Sequence, residues 1–241
     1  SQYRGGTIVV SQNNDAPEGA IESAERTLSA TSGVTAIKHM AQWPADAQTD
    51  ATRAGLYVSP LAPKPFADLD LSAGTAPTAD DQITIPEHTA SALSLKVGDT
   101  VRVRAGFTEG DYRTLTIVGT TRSNTISMGV PASYVTDGGF SAIFGTTASG
   151  KFIVATSGVD TDSNENPPSA TQDEWVARAN SALSGVSGVT VTSVHQAIQD
   201  DLAQARLGAS MTMGIMLIFP AIAALVASIV VSSTFRVVLT Q

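Results

Sequence analysis

The sequence predicts an α+β protein: a split domain of two βαβ-like halves, a β-rich subdomain inserted between them, and a long helix that enters a membrane. Three observations carry this. Both ends of the first 200 or so residues show the same strand, helix, strand pattern. Clusters of Pro and Gly bracket a strand-rich middle. From Leu207 to Phe235 there is no charged residue.

In the first half, Thr7-Ile8-Val9-Val10 reads as a buried strand. Asp15 with Glu18 is spaced to open a helix, and Ile21, Ala24 and Leu28 recur at helical spacing before a strand through Val34 and Ile37. The second half repeats this order. Phe152-Ile153-Val154 is a strand, Thr171 and Glu174 are spaced as a capping box, Val176, Ala179 and Leu183 form the stripe, and Val189 and Val191 follow. Leu28-Ser29 and Ser32-Gly33-Val34-Thr35 recur at one fixed offset as Leu183-Ser184 and Ser187-Gly188-Val189-Thr190.

Between the halves, Pro60, Pro63 and Pro65 mark a stiff linker, and Gly145 to Gly150 a looser return. Ile83 and Ile85 alternate with polar residues, Pro86 is suited to open a short helix through Leu93, and Gly98-Asp99 turns the chain. Val101 with Val103, and Leu115 with Ile117, alternate again. The expected boundaries are 1–62 and 149–196 for the split domain, 63–148 for the insert, 194–235 for a stalk and membrane helix, and 236–241 for a cytoplasmic start.

Ser193 and Gln196 are spaced as another capping box, and Ile198, Leu202 and Ala205 make a narrow apolar stripe leading without a breaker into the apolar stretch. That stretch, Met211 to Val231, includes Ile215, Phe219, Ile222, Leu225 and Ile229 and is long enough to cross a bilayer as one helix. Its Ile, Leu, Phe and Val residues favour insertion by about 3 to 6 kcal/mol. Pro220 lies inside it and predicts a kink with helix partners. A rod from 194 to 235 would extend about 60 Å at about 1.5 Å per residue.

The part before the span holds all 22 acidic residues and 13 of the 14 Lys and Arg, so it carries −9. This balance argues against a nucleic-acid partner. Arg236 follows the span and favours a cytoplasmic C-terminal side, with residues 1–208 external. There is no cysteine, which removes disulfides and thiol chemistry. Ser1 begins no signal peptide, so an earlier span is expected upstream.

No enzyme site is apparent. Gly145 to Lys151 has Walker-like spacing, but Phe152 replaces the hydroxyl and the segment precedes a strand where a phosphate loop would follow one. Asp160, Asp162 and Asn164 alternate like calcium ligands, but Glu165 occupies the turn-glycine position and Thr171 the final ligand position. His39, His88 and His195 fall in three elements without a second ligand at metal spacing. Asp80 and Asp81 are adjacent and read as turn residues. No catalytic residue, metal or cofactor is expected.

Asp81 to Gly119, through Ile83-Thr84-Ile85-Pro86, Leu95 to Val101 and Thr116 to Gly119, resembles the external core domain of bacterial ABC-transporter permeases of the MacB and FtsX superfamily. Ile222 to Val231, followed by Ser233-Thr234-Phe235, is similar to that family's second span. The resemblance implies a multi-pass permease subunit in the cell membrane, surrounded by membrane lipids. It would work with a cytoplasmic ABC ATPase and a second permease copy, as a homo- or heterodimer. ATP-driven dimerisation would move the external domains through the stalks, for export of a substrate or control of an external partner protein. A single-pass anchored receptor or adhesion ectodomain is the competing class, distinguished by whether the gene continues past Gln241 into further spans. A membrane-tethered hydrolase would need a convergent site that the sequence does not display.

The span is directly testable. Ala223 lies near its centre, and Ala223→Arg is expected to cost about 2.5 to 3.5 kcal/mol of insertion free energy. Glycosylation mapping should register reduced insertion; unchanged insertion would displace the span from Met211–Val231.

Overall fold

The structure, a computed structural model, describes residues 3–66, 69–106, 110–122, 126–127, 130–146, 149–158 and 166–204. The chain divides into two units, Ser1–His195 and Gln196–Gln241. In order, the first contains β1 (Ile8–Gln12), α1 (Ala20–Ser29), β2 (Val34–His39), β3 (Trp43–Gln48), β4 (Arg53–Pro60), β5 (Leu71–Gly74) and β6 (Gln82–Pro86). There follow α2 (Glu87–Ala92), β7 (Thr100–Ala105), β8 (Arg113–Thr121), β9 (Ile126–Ser127), β10 (Val130–Val135), α3 (Asp137–Phe144), β11 (Lys151–Thr156), α4 (Ser169–Ala182) and β12 (Val189–Ser193). A further helix, α5, begins at 194 and is described to 204.

Four strands form one sheet in the order β12-β1-β11-β2, every neighbour antiparallel. Each expected βαβ half is present but split: β11 lies between β1 and β2, and β1 lies between β11 and β12. This is the ferredoxin-like arrangement. Helices α1 and α4 bury Ile21, Ala24, Leu28, Trp175, Ala179 and Leu183 against Ile8, Val10, Phe152 and Val154. The opposite face is covered too, since Val9, Ile153 and Ala155 are also buried. Strands closed on both faces read as unbroken apolar runs, which is why Ile8-Val9-Val10 and Phe152-Ile153-Val154 show no alternation.

The internal repeat has a structural counterpart. Gly33 and Gly188 both have positive φ, 92° and 80°, where the chain turns from a helix into β2 and β12. Their contacts cross over: a Cβ on Gly33 would meet the Trp175 ring of α4, and one on Gly188 would meet Ala16 and Pro17 ahead of α1. Only glycine satisfies both the conformation and the close approach.

Two expected helix starts move. Helix α1 begins after Gly19, in the left-handed region at φ 77° with no side-chain cap, once Ala20 N–H has bonded back to the Pro17 carbonyl. Helix α4 begins after Pro168, which places Thr171 inside it. Gly19 is thus the N-cap of α1 and Pro168 that of α4, which leaves Asp15–Glu18 and Thr171–Glu174 without a capping role.

The second sheet has eight strands, ordered β4-β3-β7-β8-β6-β10-β9, with β5 also on β8. Parallel pairing of β10 with β4, Ala132 to Val135 against Tyr57 to Pro60, closes six of them into a barrel. Leu56, Val58, Ile83, Val101, Ile117 and Val135 fill its core, together with Leu93 and Phe140 from beside or within its helices. The barrel is itself two interlocked copies. Hairpin β3–β4 precedes β6 and α2, hairpin β7–β8 precedes β10 and α3, and each third strand runs parallel to the other copy's hairpin.

The insert therefore begins earlier than expected. Strands β3 and β4, within the 1–62 assigned to the split domain, hydrogen-bond into the barrel: β3 pairs β7 from Ala45 to Gln48. Pro60 is the end of a strand, where a missing N–H costs least, and the linker reading of the three prolines misplaced the boundary. Among the described residues no helix is long and apolar enough to cross a membrane; Met211 to Val231 lies outside them.

Because β2 and β11 are neighbours with His39 opposite Phe152, the two chain ends that carry the barrel lie side by side. Replacing 42–149 with a short Gly/Ser linker should leave a cooperatively melting ferredoxin-like domain. Replacing only 66–148 should not, because β3 and β4 would keep their apolar faces without partners. Thermal unfolding followed by circular dichroism distinguishes the two.

Candidate functional site: the root of the C-terminal helix

Strand β12 is an edge strand held in register on β1 from Val189 opposite Gln12 to Ser193 opposite Ile8. An exposed bond from Thr190 Oγ1 to Asn13 Oδ1, 2.7 Å, adds a tie at its far end. Helix α5 follows Ser193 with no intervening loop. Its first residue, Val194, is fully buried and its N–H donates to the Thr7 carbonyl at 3.2 Å. The helix thus starts inside the domain.

A helix start exposes N–H groups that no intrahelical carbonyl accepts, and burial denies them water. Here another element supplies an acceptor. Gln172 of α4 is 2% exposed; its Oε1 accepts the His195 N–H at 2.8 Å and its Nε2 donates to the Pro167 carbonyl at 2.6 Å. One amide side chain thereby joins the entry of α4 to the first turn of α5. Thr7 completes the clamp. It is fully buried, its N–H donates to the Val154 carbonyl, and its Oγ1 is 2.7 Å from Thr156 Oγ1. The start of α5 is bonded to α4 and to Thr7, just ahead of β1, and through Thr7 to β11.

Of the stalk residues read from sequence, Ser193 is the last residue of β12, and Gln196, Ile198 and Leu202 lie in α5. Gln196 Nε2 donates to Asp200 Oδ1, one turn on, at 2.8 Å. Leu202 is 47% exposed, so its side chain is available to a partner or to solvent. Ala205 and the membrane-span residues lie outside the described residues. Sequence reasoning missed Gln172 and Thr7. Gln172 did leave a signal: it stands three residues before Trp175 and seven before Ala179, a polar residue on the buried stripe of its helix.

The other motifs find ordinary places. Gly145 is the left-handed end of α3 and Lys151 the first residue of β11, so the Walker-like segment opens no helix. Asp80 accepts a hydrogen bond from the Thr136 hydroxyl, and the Asp81 carbonyl accepts from Thr116 N–H. His88 Nε2 is 3.2 Å from Thr89 Oγ1, while His39 meets Glu25. Among the described residues no three His, Asp or Glu are placed to hold a metal ion. Asp160, Asp162 and Asn164 lie outside them.

Gln172→Leu should cost about 1 to 3 kcal/mol, because it leaves a buried donor and a buried acceptor unpaired at similar side-chain volume. Denaturant unfolding measures this, and faster amide exchange at His195 localises it. Glu174→Ala, on the exposed side of the same helix, should change stability by no more than about 0.5 kcal/mol.

No protein-family model and no curated protein matches the sequence. Solved structures do match. The extracellular domain of the noncanonic ABC-type transporter YknZ from Gram-positive bacteria aligns with a TM-score of 0.52 and 18% identity, over 77% of this chain and 98% of that one. The periplasmic region of MacB from Actinobacillus actinomycetemcomitans aligns with a TM-score of 0.53 and 16% identity, over 82% and 93%. At such identities the likeness is one of fold. The chain has the fold of a MacB-type external domain: α+β, with two sheets.

Proposed function

We propose that this chain is the external part of a bacterial ABC-transporter permease subunit, in which α5 is the stalk and Met211 to Val231 the membrane span. The observation that carries the reading is the root: a strand of a MacB-type domain continues into a helix whose first residue is buried and whose first two N–H groups are bonded to Thr7, ahead of β1, and to Gln172 of α4. A tether would need only a flexible connection. A part that transmits movement needs a stiff one.

In this reading residues 1–208 are external, the ferredoxin-like domain receives movement from the stalk, and the barrel meets the substrate or external partner. The subunit is not itself an enzyme. Its partners are a cytoplasmic ABC ATPase, a second permease copy and the surrounding lipids, and cytoplasmic ATP hydrolysis moves the external domain for export or for control of a partner outside the cell.

The test breaks the stalk and leaves its ends alone. Leu202→Pro removes a backbone donor and clashes with the preceding turn, at about 3 kcal/mol in a helix interior. In the full permease with its ATPase, ATP hydrolysis should persist while export or partner activation is lost. Leu202→Ala keeps the helix and should retain most function. Normal transport by Leu202→Pro, or joint loss of hydrolysis and external function at unchanged expression, would contradict the stalk role.

A further inference from the structure

Residues 3–7 lie ahead of β1, yet they touch both the root of α5 and the barrel. The Gly6 N–H donates to the Tyr3 carbonyl at 3.0 Å, which turns the chain back on itself, and Tyr3 is only 2% exposed. Lys151 Nζ donates to the Tyr3 hydroxyl at 2.9 Å and lies 5.3 Å from the ring centre. Lys151 and Ile153 share one face of β11, the face turned away from α1 and α4, because Phe152 and Val154 face those helices. Tyr3 therefore lies on the side of the sheet that carries no helix of this domain.

On the side of the helix root, Gly6 leaves the room that Val194 occupies. A Cβ on Gly6 would collide with Ile153 Cγ2 and lie 3.2 Å from Val194 Cγ2. The next residue, Thr7, accepts the Val194 N–H at 3.2 Å while its own N–H donates to the Val154 carbonyl at 2.8 Å. Any shift of Val194 meets these two residues first.

On the side of the barrel, Gly5 packs backbone against backbone. It sits at φ 76°, and a Cβ there would lie 2.8 Å from the Pro65 carbonyl oxygen and 3.4 Å from the Phe66 Cα, so only glycine fits. Pro65 and Phe66 belong to the connection between β4 and β5, which is pinned to the barrel on both sides. Leu61 N–H donates to the Val135 carbonyl of β10 at 2.7 Å, and Arg122 N–H, just past β8, donates to the Asp70 carbonyl at 2.9 Å. Phe66 is 1% exposed although it lies in a loop, and its N–H donates to the Pro63 carbonyl at 3.1 Å.

We propose that residues 3–7 are a brace coupling the root of α5 to the barrel: a displacement of Val194 shifts Gly6 and Thr7, and through Gly5 it shifts Pro65 and Phe66. Close-packed contacts of this kind transmit strain because they do not compress. Gly5 and Gly6 have no side chain, so no rotamer change absorbs the movement. The coupling is a property of residues 1–195; that α5 supplies the displacement rests on the transport reading.

Amide exchange on the full chain in detergent micelles tests the brace in both directions, because a coupling between two sites is reciprocal. Gly5→Ala forces a Cβ against the Pro65 carbonyl, and the amides of Phe66 and of Val194 should both exchange several-fold faster. Val194→Ala withdraws the methyl groups that face Gly6, and the Phe66 amide should again speed up several-fold. The Asp99 amide, bonded to the Lys96 carbonyl in another turn of the barrel, is the control and should keep its rate in both variants. A change confined to the substituted end, or an equal rise at Asp99, overturns the proposal. Should Gly5→Ala fail to fold, Val194→Ala decides alone by the same comparison of Phe66 with Asp99. In the full permease with its ATPase, Gly5→Ala should lower export or partner activation several-fold while ATP hydrolysis persists. Unchanged export in a permease that Leu202→Pro does disable would reject the brace alone. Normal transport by Leu202→Pro would reject the transport reading and leave the exchange result to decide the coupling.

Discussion

The first amides of a helix have no intrahelical acceptor, so a helix that starts inside a folded domain must be given acceptors by other elements. In this chain that requirement falls on Val194 and His195, and it is met by the Thr7 carbonyl and the Gln172 side chain. Both acceptors are themselves fixed. Thr7 belongs to the β1–β11 ladder through its own N–H, and Gln172 is anchored to the Pro167 carbonyl in a site closed to water. Replacing either interaction by solvent is not available without opening the core, which makes the root of α5 stiff at the cost of making it specific.

Position in the sheet gives that stiffness a direction. The row Ser193, Ile8, Val154, Ile37 crosses all four strands at the end from which α5 leaves. The barrel is carried at the other end, by His39 and Lys151, and from the other side of the sheet, at β2 and β11. Within the sheet, the helix root and the two strand ends that lead into the barrel therefore occupy opposite corners. A displacement of residue 194 moves an antiparallel ladder, with no loop at that point to absorb it. The barrel, closed by the β10–β4 pairing, responds as one body because it has few loose strand edges.

Much of this was legible. The stripe Ile21, Ala24, Leu28 and its counterpart Ala179, Leu183 marked two helices and the face each buries, and the repeat of Ser-Gly-Val-Thr marked the two glycine turns that enter β2 and β12. Capping chemistry misled because proline competes with it: the Pro17 carbonyl accepts the first N–H of α1 and Pro168 is the N-cap of α4, so the acids and hydroxyls at capping spacing fall outside or inside the helix. Strands β3 and β4 escaped because Ala45, Ala47 and Ala54 are small and Pro44 is the second residue of β3, so strand propensity is weak where barrel packing is tight. The helix root was visible only as Ser193 and Gln196. Its decisive acceptors come from residues 187 and 23 positions away in the chain, Thr7 for Val194 and Gln172 for His195, and no local pattern joins them.

A rigid root and a soft root would differ most plainly in the proposed transporter during ATP hydrolysis. Spin labels on Glu174, an exposed position of α4, would report the separation of the two external domains in the proposed permease dimer. Pulsed dipolar spectroscopy with and without trapped nucleotide measures that separation. Coupling through the clamp predicts a nucleotide-dependent change in the wild-type protein that is lost or blurred into a broad distribution in Gln172→Leu, with ATP hydrolysis continuing. The same sharp change in both proteins would contradict it.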